Sequence, residues 1–124
     1  MKKYLQLNDL SAYKIAYKLS EEVWDVVKEW DRFAKNTIGE QFVRSVDSIA
    51  ANIAEGFGRR TKRDKIKFYN YSFSSTYESL NWNEKAKRRE LISQVQYDSI
   101  FAGLKKLPRE INNLSNFTMR KLDK

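Results

Sequence analysis

The 124-residue chain contains neither cysteine nor histidine, and these two absences exclude several classes of protein. Without cysteine, the chain has no disulfide, no thiol nucleophile and no thiolate metal site. Without histidine, it has no Ser-His-Asp or Cys-His catalysis, no imidazole zinc site and no di-iron centre of the Glu-x-x-His type. We therefore expect a protein that is not an enzyme, with no catalytic residue, metal site, cofactor or small-molecule substrate.

Long apolar runs are also missing. The longest unbroken runs have three or four residues, whereas a membrane-spanning helix needs about 20. The first four residues include two lysines, but neither an apolar stretch nor a small-residue cleavage site follows them, so no signal peptide is predicted. We expect a cytoplasmic protein with no membrane partner.

Glycine and proline are scarce, with four and one respectively, so long regular elements are expected. Apolar residues recur three and four positions apart in four stretches, which are residues 12–33, 43–57, 66–80 and 97–114. This spacing places them on one face of a helix. No stretch shows the alternation of a strand, and the predicted fold class is all-α.

Helix-start signals mark the junctions between these stretches. A hydroxyl residue with an acid or amide three positions later occurs at residues 37–40, 61–64 and 93–96, and such a pair caps a helix N-terminus. Asp9 or Ser11 is expected to cap the first helix, and Gly58 to end the second in the left-handed conformation.

The predicted helices are therefore about 10–34, 38–57, 62–90 and 94–121, in one domain of residues 1–124. Because the connections are short, an up-down-up-down antiparallel four-helix bundle is expected. Pro108 lacks a backbone N–H, so we expect a kink or a short restart there, and a frayed tail from about Asn116.

Aromatic residues exceed what one core stripe needs. The first helix has a second stripe containing Tyr13, Tyr17, Trp24 and Val27. The third helix places Phe68, Tyr71 and Trp82 away from its core stripe. Apolar patches of this kind mark contacts, and we predict a homo-oligomer with Tyr13, Tyr17, Trp24 and Trp82 as contact residues. The alternative is a wide core with scattered exposed rings.

A polar stripe follows the second helix. Glu55 and Glu78 are too far apart, at about 20 Å along the axis, for a catalytic carboxylate pair within one subunit. Arg44 is expected to form an interhelical ion pair with Glu78. The predicted structural polar layer consists of Gln41, Arg44, Ser48, Asn52, Glu55, Ser75 and Glu78.

Positive charge is concentrated in the second half of the chain. The net charge of the whole chain is +8, and six cations fall within nine positions, which are Arg59, Arg60, Lys62, Arg63, Lys65 and Lys67. Smaller groups follow at 85–89 and 105–109. Cations neutralise phosphates, and the interleaved aromatic rings stack on unpaired bases. We predict nucleic-acid binding at residues 59–67, with RNA favoured over DNA. A solvated face and a basic face for an acidic protein partner are the alternatives.

Residues 41–59 contain a Gln, an Arg-x-x-x-Ser-Ile stretch and Asn-Ile-Ala-Glu-Gly before a Gly-Arg turn. This segment resembles the signature of the S23, or 23S rRNA intervening-sequence, family of small four-helix proteins. The family's third-helix pattern of an aromatic followed by Ser-x-x-Glu is similar to Phe68, Ser75 and Glu78. The resemblance implies a bundle that assembles as a homopentameric ring and a similarity to the accessory protein of diversity-generating retroelements. It does not imply an enzyme.

Overall fold

A computed structural model describes residues 5–121, which form four long helices and contain no strand. A short 3-10 turn, Leu7–Asp9, precedes helix α1, Ser11–Val27. Helix α2 is Glu40–Phe57, helix α3 is Lys62–Arg88 and helix α4 is Gln94–Lys121. The predicted all-α class is thus confirmed. None of the described helices is both long and apolar enough to cross a bilayer.

Each helix packs against two others. Helix α2 contacts α1 and α3, and helix α4 contacts α3 and α1. Large apolar side chains of α1, α2 and α4 fill the space between them, including Val23, Phe42, Ile49 and Leu104. Helix α3 differs from the other three because most of its fully buried side chains are polar or small.

Hydroxyl groups connect α3 to α2. Ser72 Oγ donates to the Ile49 carbonyl at 2.9 Å, and Ser79 Oγ donates to Ser45 Oγ at 3.0 Å. Ser48 and Ser75 share another hydrogen bond of 3.0 Å. Residue numbers rise along α2 as they fall along α3 in these contacts, so the two helices run antiparallel. Their backbones approach closely because the side chains between them are small.

The predicted core stripe of α3 is therefore shifted. Tyr69 and Thr76 are buried as expected, but Ile66, Phe73 and Leu80 are only half-buried. The fully buried line instead contains Ser72, Thr76, Ser79 and Asn83. A pattern that counts only apolar residues misses this line, because buried hydroxyl and amide groups need hydrogen-bond partners, which here come from α2, from α3 itself and from Tyr97 of α4.

The first helix ends seven residues earlier than the predicted residue 34. Asp31 accepts a hydrogen bond from the Ala34 N–H at 3.0 Å and begins a new helical segment, which passes through a short α turn, Arg32–Ala34, and a π turn, Lys35–Gly39, into α2. Phe33, predicted in the core, is 78% exposed. Thr37 is not a cap, since its hydroxyl donates to the Phe33 carbonyl within the segment.

Two of the other predicted caps are confirmed and two are wrong. Thr61 accepts from the Asp64 N–H, and Ser93 and Gln96 bond reciprocally. The residue before α1, however, is Leu10, which has no capping side chain. Gly58 has a φ of −80°, and the positive φ among the described residues belongs to Glu90, after α3.

Pro108 does not break α4, and the predicted restart is wrong. The helix continues from Gln94 to Lys121, so the expected fraying from Asn116 is also absent over the described residues. Leu104, Leu107 and Ile111 are buried on either side of the proline. Burying these three side chains stabilises the helix by several kcal/mol, which outweighs the loss of one backbone hydrogen bond.

Substitution of Gly56, near the end of α2, tests the close contact between α2 and α3. A Cβ on Gly56 would lie 2.7 Å from Tyr69 Cε1 and 3.0 Å from the Lys65 carbonyl oxygen. We expect Gly56→Ala to lower the free energy of unfolding by about 1–3 kcal/mol because the site is overpacked. Gly58→Ala is the control, since its Cβ would lie 3.6 Å from the nearest atom. The control should be neutral or stabilising by up to about 1 kcal/mol in urea unfolding, and an equal effect of both substitutions would contradict the packing.

Tyr69, which packs on Gly56, is expected to make the free energy of unfolding depend on pH in alkali. Burial raises the pKa of Tyr69 to about 12, and a hydrogen bond with Thr118 partly offsets this effect. The folded state favours the neutral phenol of Tyr69. The contribution of this group to the free energy of unfolding is therefore complete below about pH 10 and is lost as the pH rises toward about 12. Urea unfolding at several pH values should show a smaller alkaline loss of stability in Tyr69→Phe than in the natural chain. An identical loss in both proteins would show that Tyr69 ionises as readily in the folded chain as in the unfolded one.

Candidate nucleic-acid interface

The six cations of residues 59–67 surround the turn between α2 and α3. Arg59 and Arg60 lie in the turn itself, and the Thr61 side chain then caps the first turn of α3. The remaining four cations occupy the first two turns of α3. The structure therefore keeps the predicted cluster at one end of the helix pair, but it gives the six side chains different roles.

Two of the cations hold helix ends together. Lys65 Nζ donates to the Phe57 carbonyl at 2.7 Å, in the last turn of α2, and lies 5.5 Å from the centre of the Phe57 ring. Burial lowers the pKa of the Lys65 ammonium group. Lys62 Nζ donates to the Met119 carbonyl of α4 at 3.1 Å. These ammonium groups satisfy carbonyl oxygens near helix C-termini, where positive charge is favourable.

Arg59 and Lys67 lie against one aromatic ring. The Arg59 guanidinium carbon is 4.6 Å from the centre of the Phe68 ring, and Lys67 Nζ is 5.9 Å from the same centre. Arg59 also forms a 2.6 Å ion pair with Glu55, four residues earlier. The charge of Arg59 is thus partly neutralised within the chain.

Arg60 and Arg63 are exposed and have no hydrogen-bond or ion-pair partner among residues 5–121. The bond from Lys62 to Met119 brings the end of α4, and with it the exposed Arg120, to the same end of the molecule. We call residues 59–67 together with Arg120 the basic end. The cations of this surface that remain available to a partner are Arg60, Arg63, Lys67 and Arg120.

The other basic groups lie elsewhere. Lys85, Arg88 and Arg89 are exposed at the opposite end of α3. Lys105 lies 5.9 Å from the Phe101 ring in the middle of α4, several turns away from Arg120. The structure therefore does not bring these groups into the basic end.

The seven residues of the predicted polar layer do not form one network. Ser48, Asn52 and Ser75 do, since Asn52 Nδ2 donates to Ser48 Oγ at 2.9 Å and Ser48 bonds to Ser75. Gln41, by contrast, is exposed and makes no side-chain hydrogen bond to any residue from 5 to 121. Glu55 is likewise exposed and is the partner of Arg59.

The expected Arg44–Glu78 ion pair is wrong. Arg44 instead pairs with Glu40, four residues earlier on its own helix, at 3.1 Å. Glu78 accepts from Trp82 Nε1 at 3.2 Å, also four residues away. Partners one turn away on the same helix need no tertiary alignment, and they replace the interhelical pair.

The four predicted contact residues fall into two groups. Tyr17 and Trp24 on α1 are each 55% exposed, and Trp24 lines a groove of about 660 Å³ between α1 and α2. Tyr13 and Trp82 are half-buried and pack against the core. The exposed aromatic area on α1 is therefore smaller than predicted but lies on one face.

Two features of the basic end were not predicted from the sequence, which are the Glu55–Arg59 ion pair and the position of Arg120. The Glu55–Arg59 pair has the i, i+4 spacing of a helix ion pair, which was available as a signal. Arg120 could have been placed there from the antiparallel order of the predicted helices. Among residues 5–121, no three acidic side chains come close enough to hold a metal ion.

Comparison with known proteins identifies the family. The family model described as "23S rRNA-intervening sequence protein" matches residues 8–113. A crystal structure of a protein of unknown function from the S23 ribosomal protein family of Bacteroides thetaiotaomicron aligns with a TM-score of 0.75 and 23% identity, covering 84% of this chain and 97% of that chain. The search of curated proteins found no match. The resemblance inferred from residues 41–59 is thus confirmed, and the chain belongs to the 23S rRNA-intervening sequence protein family.

Proposed function

We propose that this protein is a non-catalytic, oligomeric RNA-binding protein of the cytoplasm that contacts RNA with its basic end. The observation that supports this most is the presence of exposed cations without partners around one turn. Arg60 and Arg63 form no salt bridge with any of the described residues, and Lys67 and Arg120 extend the same surface. Unpaired surface cations at one end of a molecule provide the sequence-independent phosphate contacts on which nucleic-acid affinity depends.

The family's name is a second, weaker support. It associates these proteins with 23S rRNA intervening sequences, which favours RNA over other polyanions as the partner. The contact that we propose is electrostatic, and its partner chemistry is a phosphate backbone.

Assembly is the other part of the proposal. We propose that the four helices alternate up and down, and that copies of the chain join as a homo-oligomeric ring through the α1 face that exposes Tyr17 and Trp24, with five subunits favoured by the family. A ring of subunits would contain several copies of the basic end. Several weak phosphate contacts on one RNA then act at a high effective concentration, which raises avidity without new contacts.

Neutralising the available cations tests the RNA contact. We expect the triple variant Arg60→Gln, Arg63→Gln, Lys67→Gln to bind RNA at least about tenfold more weakly at about 50 mM salt and to reduce the salt slope by about three. The matched control is Lys85→Gln, Arg88→Gln, Arg89→Gln, which removes the same charge from exposed positions at the other end of α3. Fluorescence anisotropy with a labelled RNA measures both.

An equal loss in the two variants would contradict the assignment to the basic end. Absence of binding by the natural chain at about 50 mM salt, where phosphate contacts are strong, would contradict RNA binding as a whole. Binding of polyglutamate in place of RNA would favour the alternative function, a scaffold whose basic face contacts an acidic protein.

A further inference from the structure

Next to the basic end, α3 exposes a pair of aromatic rings. Phe68 and Tyr71 meet edge to face, with ring centres 5.5 Å apart and an angle of 88° between the planes. Neither ring belongs to the hydrophobic core, and Tyr71 is 47% exposed. An edge-to-face neighbour fixes the orientation of an exposed ring, so Tyr71 presents a held surface to solvent.

Cations flank this pair on the Phe68 side. The guanidinium carbon of Arg59, which follows the end of α2, lies 4.6 Å from the centre of the Phe68 ring. Lys67, on α3 like Phe68, has its Nζ 5.9 Å from the same centre. Phe68 in turn contacts Tyr71, so an exposed ring and two cations form one continuous surface. A nucleotide has groups that match both parts of this surface, since its base is a flat π-system and its phosphate is an anion.

The same helix provides an internal comparison. Tyr77 is 53% exposed and also has an aromatic neighbour, Phe73, at 5.3 Å. No cation lies over either of these rings among the described residues. Exposure and ring pairing therefore occur twice on α3, but only the pair at the basic end combines them with positive charge.

Single-stranded and duplex RNA differ in what they offer to such a surface. In a duplex, neighbouring base pairs cover both faces of each base, and a protein reaches mainly phosphates and hydroxyls. In a single strand, a base can turn outward and stack on an aromatic ring while its phosphate contacts a nearby cation. A ring held beside two cations is useful only for the second kind of partner.

We infer that Tyr71 stacks on an unpaired base of single-stranded RNA, with Phe68 orienting the ring and with Lys67 contacting the adjacent phosphate. The inference rests on the proposed RNA contact and names its substrate class. It makes the preferred RNA an unpaired segment, such as a loop or a single-stranded end, and gives the basic end a stacking contact in addition to its charge.

Binding of two labelled RNAs to the full chain tests the inference. The probes are a 12-nucleotide single strand and the 12-base-pair duplex that contains it, compared by fluorescence anisotropy, at lengths of about the site size of a small single-strand-binding protein. We expect Tyr71→Ala to weaken binding of the single strand by about tenfold and to leave duplex binding within about twofold. Tyr71→Phe should keep the affinity, because a phenyl ring also stacks. Tyr77→Ala, the matched exposed tyrosine, should change neither.

The outcomes separate the two proposals. Equal effects of Tyr71→Ala on both RNAs, or none on the single strand, would overturn the stacking inference while the natural chain still binds RNA. Failure of the natural chain to bind either probe would overturn the proposed function and the inference with it. Thermal unfolding by circular dichroism shows whether Tyr71→Ala folds. Loss of single-strand binding in a folded Tyr71→Phe variant would also overturn the stacking inference, because that variant retains the ring.

Discussion

The close approach of α2 and α3, made by serine and glycine, is the contact on which the rest of the molecule depends. Ser72 and Ser79 use their hydroxyls to bond to α2, and Tyr69 packs directly on Gly56. Because the rest of the inner face of α3 is occupied by small polar side chains, its other large rings are left half-buried or exposed. The aromatic surface of α3 therefore follows from how the helix packs, and it lies beside the cations that begin the same helix.

The basic end shows how one charge run in a sequence separates into structural and available side chains. Lys62 and Lys65 bond to backbone carbonyls of α4 and α2, which fixes the turn. Arg59 is shared between Glu55 and the Phe68 ring. Only the remaining cations are available to a partner, so one subunit would contact fewer phosphates than the six cations suggest. The proposed assembly of several subunits would compensate for this reduction, which links the proposed oligomer to the proposed RNA binding.

Local chemistry could be predicted from the sequence, and tertiary partners could not. The Thr61 and Ser93 caps depend on residues within three positions, and both are present. The end of α1 was missed because the three- and four-residue spacing continues by chance past Val27 to Phe33. The position of the basic cluster could be predicted from the sequence. Which of its cations bond within the chain could not, because Lys62 and Lys65 bond to backbone carbonyl groups, and every residue has one. The prediction of an Arg44–Glu78 pair was wrong for a related reason, since an ion pair with a residue one turn away on the same helix forms more easily.

The proposed self-association over the α1 face would bring several basic ends together and would remove Tyr17 and Trp24 from water. Light scattering coupled to size-exclusion chromatography at micromolar concentration measures the mass of the assembly. We expect a mass several times the 14.7 kDa of one chain, with five copies favoured. A mass of 14.7 kDa throughout that concentration range would contradict it, because a solitary chain leaves those rings exposed and offers RNA a single weak contact.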